Sequence, residues 1–450
     1  MTTLAQRRIL RSTIQVGRIT LPYFVGMCLF YIYMFIPARL QDLISIFRLP
    51  FPVVAMNYGI GYPYFPILDL IIFVYAGFLW VHYGCKIQKR ISAFRIYVVT
   101  SLICVCFLWI RFLQGYEQEM FWDSAIMIVR LVAIYWLFVS IPNDAASWGK
   151  ILQGTLALLF VSSFLLNRAG YANPNTPSND AGRMTASGFD FSTTSYFGFV
   201  LALSSLTLSR GIWQIVLFLI GLGGAVMGGG RNPLPFFLGC LLFLALQRKR
   251  VGRFLIWVVP GVGVVLILVM ILSPGVLNRL PTFNRDLDYS VYYSSGVTPT
   301  DDAQRYFPFL AQFSISDPAI VGRFNTWSSA LVLIESRGLV PLASDWNVQQ
   351  KLITVGVPSH SHNGYLQTLL KFGILALPFW GAVAASLLRG LRSRSPYSIL
   401  ILFLLASLLV DYWLLVIKAA FLFFALIKLN DDWVSQDSRK RTASMLGSGA

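Results

Sequence analysis

An all-α integral membrane protein of about twelve transmembrane helices is the fold this sequence predicts, and three observations carry the prediction. Hydrophobic residues make up 56% of the chain and charged residues only 12%, with a mean hydropathy of +0.66. No single aqueous core could bury that much apolar surface. Apolar stretches suited to a hydrocarbon core, which asks for roughly 17–25 residues each, recur along the whole length. Basic residues collect between alternate stretches, as they do when one face of a bundle meets the cytoplasm.

The spans begin with Thr20–Ala38, Phe65–His82, Ile96–Leu113 and Phe121–Ile141. Ile151–Asn167, Ser195–Leu208, Ile212–Met227 and Leu234–Leu246 follow. Phe254–Ser273, Gly364–Leu388, Tyr397–Tyr412 and Leu414–Leu429 complete the set, the last two short and with a soft boundary between them. No small-residue cleavage site follows the first span, which therefore reads as a signal anchor. Residues 1–273 form nine helices, 274–361 a large periplasmic loop between helices 9 and 10, 362–430 three more helices, and 431–450 a basic tail.

Charge orients this bundle. Arg7, Arg8, Arg11 and Arg18 precede the first span, placing the N-terminus in the cytoplasm. Strict alternation then requires cytoplasmic loops carrying Lys86, Lys89, Arg90 and Arg95, then Arg248, Lys249, Arg250 and Arg253, then Arg389, Arg392 and Arg394. All of these clusters fall on one side, as does the terminal Arg439-Lys440-Arg441, so both termini are expected in the cytoplasm. The net charge of +17 is thus topology and attraction to anionic lipid, and no aromatic-basic motif argues for a nucleic-acid partner. Cys28, Cys85, Cys104, Cys106 and Cys240 sit in or at the ends of spans and read as small hydrophobes, without disulfide or metal spacing.

Three polar segments remain outside: Arg39–Tyr64, Arg168–Phe191 and Pro274–Ser361. Loops of such length in a compact bundle are usually functional. The largest contains an amphipathic stretch, Trp327–Ile334, expected to lie along the membrane surface. It ends at Ser359-His360-Ser361-His362-Asn363, where two of the chain's three histidines stand. Imidazole is the default proton acceptor near neutral pH. The same alternation brings two guanidiniums to that face: Arg231, after Gly228-Gly229-Gly230, and Arg323, within Gly322-Arg323-Phe324-Asn325-Thr326-Trp327. A guanidinium is a rigid, permanently charged fork suited to phosphate oxygens. The glycines before Arg231 allow close backbone approach and an anion-binding nest.

Taken together, Arg231, Arg323 with Trp327, the large loop, and His362-Asn363 followed by Gly373 resemble the superfamily of O-antigen ligases and O-antigen or exopolysaccharide polymerases. These are glycosyltransferases of the bacterial inner membrane. The resemblance covers the second half of the chain, and topology extends it to the rest. It departs from the pattern where Asn232-Pro233 follows Arg231 in place of small residues. It implies a multi-pass inner-membrane enzyme whose active site faces the periplasm. The donor would be an oligosaccharide on a polyprenyl (undecaprenyl) diphosphate, and the acceptor a glycan or a lipid A core. A flippase and a chain-length regulator would be its partners, with no cofactor and no metal. His362 would be the base for an inverting transfer, and Arg231 and Arg323 would hold the diphosphate. The His-Asn-Gly-Tyr-Leu run is more like polymerases than ligases.

Plainer readings stand beside these. His362 could be an ordinary residue at a helix start, and His360 competes with it for the base role or for a substrate contact. The two arginines could anchor lipid headgroups. Asn363 suits a helix cap as well as a substrate contact, Gly373 suits helix packing, and Trp327 suits a loop anchor better than a sugar platform. Arg130, deep in the fourth span, pairs with Asp69 or Asp123 or else reaches the donor through a wet cavity. Asp301-Asp302 is too sparse for a metal site. A lipid-linked oligosaccharide flippase or another transporter is the alternative function, though no repeat relates the two halves.

Overall fold

A computed structural model describes residues 92–114, 145–169, 191–228, 233–248, 299–312, 318–343, 345–356, 361–412 and 417–447, with short pieces between 15 and 77. The spans expected at Phe121–Ile141 and Phe254–Ser273 lie outside the described residues. Thirteen α-helices are described: α1 Ala93–Leu113, α2 Ala145–Arg168, α3 Phe191–Leu208, α4 Ile212–Met227, α5 Pro233–Arg248, α6 Asp301–Tyr306, α7 Phe309–Gln312, α8 Pro318–Arg337, α9 Asp345–Thr354, α10 Gly364–Phe372, α11 Ala376–Arg392, α12 Ser398–Ser407 and α13 Ile417–Gly447. Three stretches are long and apolar enough to cross a bilayer: Ala93–Arg111, Trp148–Arg168 and Gly364–Arg392.

The all-helical expectation needs one correction, at the N-terminal end. Six strands of two to four residues pair antiparallel: β1 Gln15–Val16 with β2 Ile19–Thr20, β3 Ser45–Arg48 with β6 Tyr64–Pro66, and β4 Val53–Ala55 with β5 Gly59–Gly61. Thr20 and Phe65, expected to begin spans, are strand residues instead. Pro63 and Pro66 deny a helix its backbone donors there. Within the first two expected spans Cys28, Tyr31, Ile32, Met34, Val74, Ala76 and Gly77 are helical.

Small residues let helices approach closely where lipid offers no hydrophobic drive between them. A Cβ on Gly198 or Gly221 would collide with the facing backbone at Ala225 or Ala202, so α3 and α4 lie in backbone contact. Aromatic rings fill the wider gaps, with Tyr97 of α1 meeting Phe372, Phe379 and Phe424 at centroid distances of 5.3, 5.2 and 4.9 Å. Helix α13 runs unbroken past Leu429, so the segment expected as a separate tail continues the last span. Asn430 fastens it there, donating from Nδ2 to the Ser386 carbonyl at 2.8 Å, while Ser386 Oγ donates to Asp431 at 2.8 Å.

The tenth expected span is not one straight helix. Gly373 ends α10 with φ 56°, and residues Gly373–Leu375 make a 3₁₀ turn before α11. Tyr365 and Trp380 then stack with centroids 4.7 Å apart. In a continuous helix their fifteen-residue separation would amount to about 22 Å. The two limbs therefore fold back on one another about Gly373. The large loop is stitched to this fold: Ile374 N–H donates to the Leu339 carbonyl (3.1 Å), Leu342 N–H to Leu370 (3.0 Å) and Ala343 N–H to Lys371 (2.8 Å). Gly373 is needed because a Cβ there would strike the Leu339 carbonyl and Pro341 nitrogen.

The stretch Trp327–Ile334 lies within α8, and its apolar face is spent on protein. Ala330 and Leu333 join Leu342, Val348, Leu352 and Leu370 in one buried cluster, with Ile334 and Leu366 packed on it. The expected surface-lying helix is instead a layer over α10. Gly373→Ala should destabilise the fold by about 2–4 kcal/mol, from left-handed backbone strain plus overlap. Gly381→Ala, where nothing lies within 4 Å, should be neutral or stabilising by up to about 1 kcal/mol. Thermal unfolding of the two variants in nanodiscs checks this, and equal midpoints would dissolve the hairpin assignment.

Candidate functional site

His362 sits in a knot of backbone that its neighbours hold shut. Its φ of 49° is left-handed, a conformation costing an L-residue about 1–2 kcal/mol and persisting only where surroundings over-determine it. Three groups do so. Asn363 caps α10, its Oδ1 accepting from the Tyr365 and Leu366 N–H groups, both at 3.0 Å. Ser361 Oγ donates to the Asn363 carbonyl at 2.9 Å. Ser361 N–H in turn donates to Gln367 Oε1 at 3.2 Å. Ser361, Asn363 and Gln367 are 0%, 7% and 1% exposed, whereas His362 is half-buried. His362 is the least buried member of the knot.

The knot rests on α12. Gly364 N–H donates to the Leu408 carbonyl at 2.7 Å, Asn363 Nδ2 to Leu409 at 3.0 Å and Tyr365 Oη to Leu405 at 2.8 Å. Leu408 and Leu409 lie just past the end of α12, where intrahelical donors have run out, and Leu405, in its last turn, also accepts from the Leu408 N–H at 3.2 Å. Asn363 thus has both ends of its amide engaged, which favours the cap over the substrate contact. Gly364 has no room for a side chain, since a Cβ would meet Leu408.

Helix directions show which other elements reach this level. Gln153, early in α2, donates to Ser204 Oγ (3.2 Å) and accepts from Ser209 Oγ (3.0 Å), just past the end of α3. Gly149 abuts the ring of Tyr397, beside the start of α12. Ser195 Oγ, at the start of α3, donates to the Ala225 carbonyl near the end of α4 at 2.9 Å. Phe199 bridges α5 and α12, 4.4 Å from Phe237 and 6.1 Å from Phe403. One end of the bundle therefore gathers the starts of α2 and α12 with the end of α3. The opposite end gathers the start of α3, the end of α4 and the end of α12, on which His362 stands. Arg231 lies outside the described residues. His360 and Arg130 also lie outside them.

Arg323 and Trp327 are on α8, one turn apart. Trp327 stacks edge-on against Phe324 (4.9 Å) and Phe307 (6.2 Å), and Phe309 closes on Phe324 at 5.2 Å. Asn325 Oδ1 accepts from Thr300 N–H at 3.0 Å, tying α8 to the start of α6. Trp327 is thus held within an aromatic group of the loop. Arg323 is half-buried and makes no ion pair with a described carboxylate. Helices α8 and α10 both end at the Leu339–Gly373 stitch and share one apolar cluster. Arg323 and His362 therefore lie toward the same, N-terminal ends of the two helices.

Two contributors escaped the sequence reading. Gln367 looked like one polar residue in an apolar helix, and only its bond to Ser361 gives it meaning. Asp411 follows Leu409 by two residues, at the end of α12 that carries the knot, with its Oδ1 accepting from Tyr412 N–H at 2.8 Å. An acid inside an apolar run was the signal that could have found it. Among the described residues no group of three His, Cys, Asp or Glu side chains converges as a metal site would. Asn363→Ala should cost about 1 kcal/mol for the lost cap, plus the bond to Leu409. Asn363→Asp, which keeps the capping oxygen, should cost less; calorimetric unfolding that ranks them the other way would unseat the cap.

Comparison with known proteins comes to bear on this geometry. No curated protein and no solved structure matches the chain significantly. Residues 215–381 match the family model described as O-antigen ligase. The matched region runs from α4 to the first turns of α11 and contains Arg231, Arg323, Trp327, His360, His362, Asn363 and Gly373; Arg130 lies outside it. Over that region the match bears out the resemblance to the O-antigen ligase and polymerase superfamily read from the sequence.

Proposed function

We propose that this membrane protein is an inverting glycosyltransferase that moves a glycan from a polyprenyl (undecaprenyl) diphosphate onto an acceptor sugar hydroxyl at the periplasmic face of a bacterial inner membrane. The observation that carries the reading is the half-buried imidazole of His362, held on a strained, fully pinned backbone inside the matched domain. A base needs that combination of fixed position and access to substrate.

The reaction forms one bond and breaks one. The acceptor oxygen attacks the anomeric carbon from the face opposite the phosphate, and the carbon–oxygen bond to the diphosphate breaks. His362 takes the hydroxyl proton. Polyprenyl diphosphate leaves with the added negative charge, and Arg231 and Arg323 neutralise it as a metal ion does in other transferases. We assign to Asp411, two residues past the carbonyl that holds Asn363, the part of orienting the imidazole and stabilising its protonated form. His360 and Arg130 remain candidates for substrate contact. The cap role of Asn363 and the anchor role of Trp327 make them supports of the site. Polymerisation of repeat units is favoured over ligation to a lipid A core by the His-Asn-Gly-Tyr-Leu run.

His362→Ala should lower glycan transfer by about 10²–10⁴-fold while protein abundance and donor export stay intact. Undiminished transfer by that variant removes the proposed base. Arg323→Ala should raise the donor KM about 10- to 100-fold, the worth of a charged hydrogen-bonding partner, with Arg323→Lys intermediate. Asp411→Asn should move the acid limb of the kcat–pH profile to lower pH, since losing the carboxylate disfavours the imidazolium. Glycan length in a deletion strain separates the two acceptors. Single repeats on the surface acceptor mean polymerase, and long chains stranded on the carrier mean ligase.

A further inference from the structure

We infer that Gln367 is a positioning residue for His362, acting through the backbone of Ser361 without touching substrate. The inference rests on the reading of His362 as the base and deepens it. Gln367 lies one turn into α10, is 1% exposed, and turns its carboxamide back over the helix start to accept the Ser361 N–H at 3.2 Å. Only the oxygen of that amide can accept, so its orientation is fixed by the donor. The bond ties the body of α10 to the residue just before His362. Asn363 fixes the C-terminal side through the cap and the α12 carbonyl. Ser361 Oγ crosses the gap to the Asn363 carbonyl. His362 is thereby clamped from both sides at a left-handed φ of 49°. Without Gln367, Ser361 N–H is buried with no acceptor, and the cheapest relief is for residues 361–362 to swing toward an ordinary backbone conformation. Such a swing moves the base, while Arg323, carried by α8, stays where it is.

Full-length protein in nanodiscs tests this, with lipid-linked oligosaccharide extracted from a strain lacking the protein as donor. Gln367→Leu should lower kcat about 10- to 100-fold, the range of an orphaned buried donor, with donor KM within about threefold of wild type. In the double variant with His362→Ala, Gln367→Leu should cause no further loss of residual turnover, because its effect passes through the imidazole. Gln367→Glu keeps the acceptor and adds a carboxylate beside the knot. It should hold kcat within about tenfold and shift the acid limb to higher pH, the imidazolium being favoured. The other ionisable groups on the surrounding elements, Asp411, Tyr365, Lys371, Arg323 and Glu335, are unchanged in every variant. Wild-type kcat in Gln367→Leu, an equal loss in the His362→Ala background, a donor KM rising in step with the fall in kcat, or an unmoved limb in Gln367→Glu each overturns the inference. Wild-type turnover by His362→Ala alone overturns the base assignment instead. Should Gln367→Leu fail to fold, the limb of Gln367→Glu decides.

Discussion

The carbonyls left without donors at the end of α12 set the terms for everything around them. A helix of ten residues rises only about 15 Å, half the hydrocarbon thickness, so its last turn stops well short of a full crossing. Polar backbone at membrane depth survives only when protein or a wet cavity satisfies it. Here Asn363, Gly364 and Tyr365 supply the donors. That requirement fixes where α10 begins. The position of α10 in turn dictates the fold-back at Gly373, and the fold-back creates the ledge to which the large loop is stitched.

The loop and the hairpin are consequently one unit. Backbone bonds from Leu342, Ala343 and Ile374 join them at one end, and the cluster of Ala330, Leu333, Val348, Leu352 and Leu370 joins them along their length. Arg323 rides on α8 and His362 on the start of α10, so two proposed functional groups share a scaffold despite belonging to segments read as loop and span. Backbone strain concentrates in this unit too, with Ala343 at φ 69° and His362 at φ 49°. Strain gathered where a site is assembled is the usual pattern.

Much of this was legible in the residues. The apolar runs at Ile96–Leu113 and Ile151–Asn167 became α1 and α2 because nothing interrupts them. The family resemblance was legible because Arg231, Arg323 and His362 all fall within the region that matches the family model. The hairpin was hidden because a glycine in an apolar run signals close packing as readily as a left-handed turn; only the Leu339 carbonyl pressed against Gly373 decides between them. The early end of α12 was hidden because Leu408, Leu409 and Val410 continue the apolar run past the last helical residue. Trp327–Ile334 showed its amphipathic period, but no period says whether lipid or protein covers the apolar face. Gln367 and Asp411 acquire roles from contacts far from their own helix turn, which single-sequence patterns do not carry.

The order in which the chain is made adds a consequence to the capping of α12 by α10. Synthesis runs from the N-terminus, so Asn363 leaves the ribosome some 46 residues before Leu409. At about 5–20 residues per second the cap exists for a few seconds before the helix it must cap. During that interval α10, with Gln367, Thr368 and Lys371 on its surface, has no α12 to rest on. The large loop, already complete, is the partner at hand, and the Leu339–Gly373 stitch can form first. The end of the bundle that carries His362 is therefore built from the loop inward, and its last step is the arrival of α12 beneath a waiting histidine.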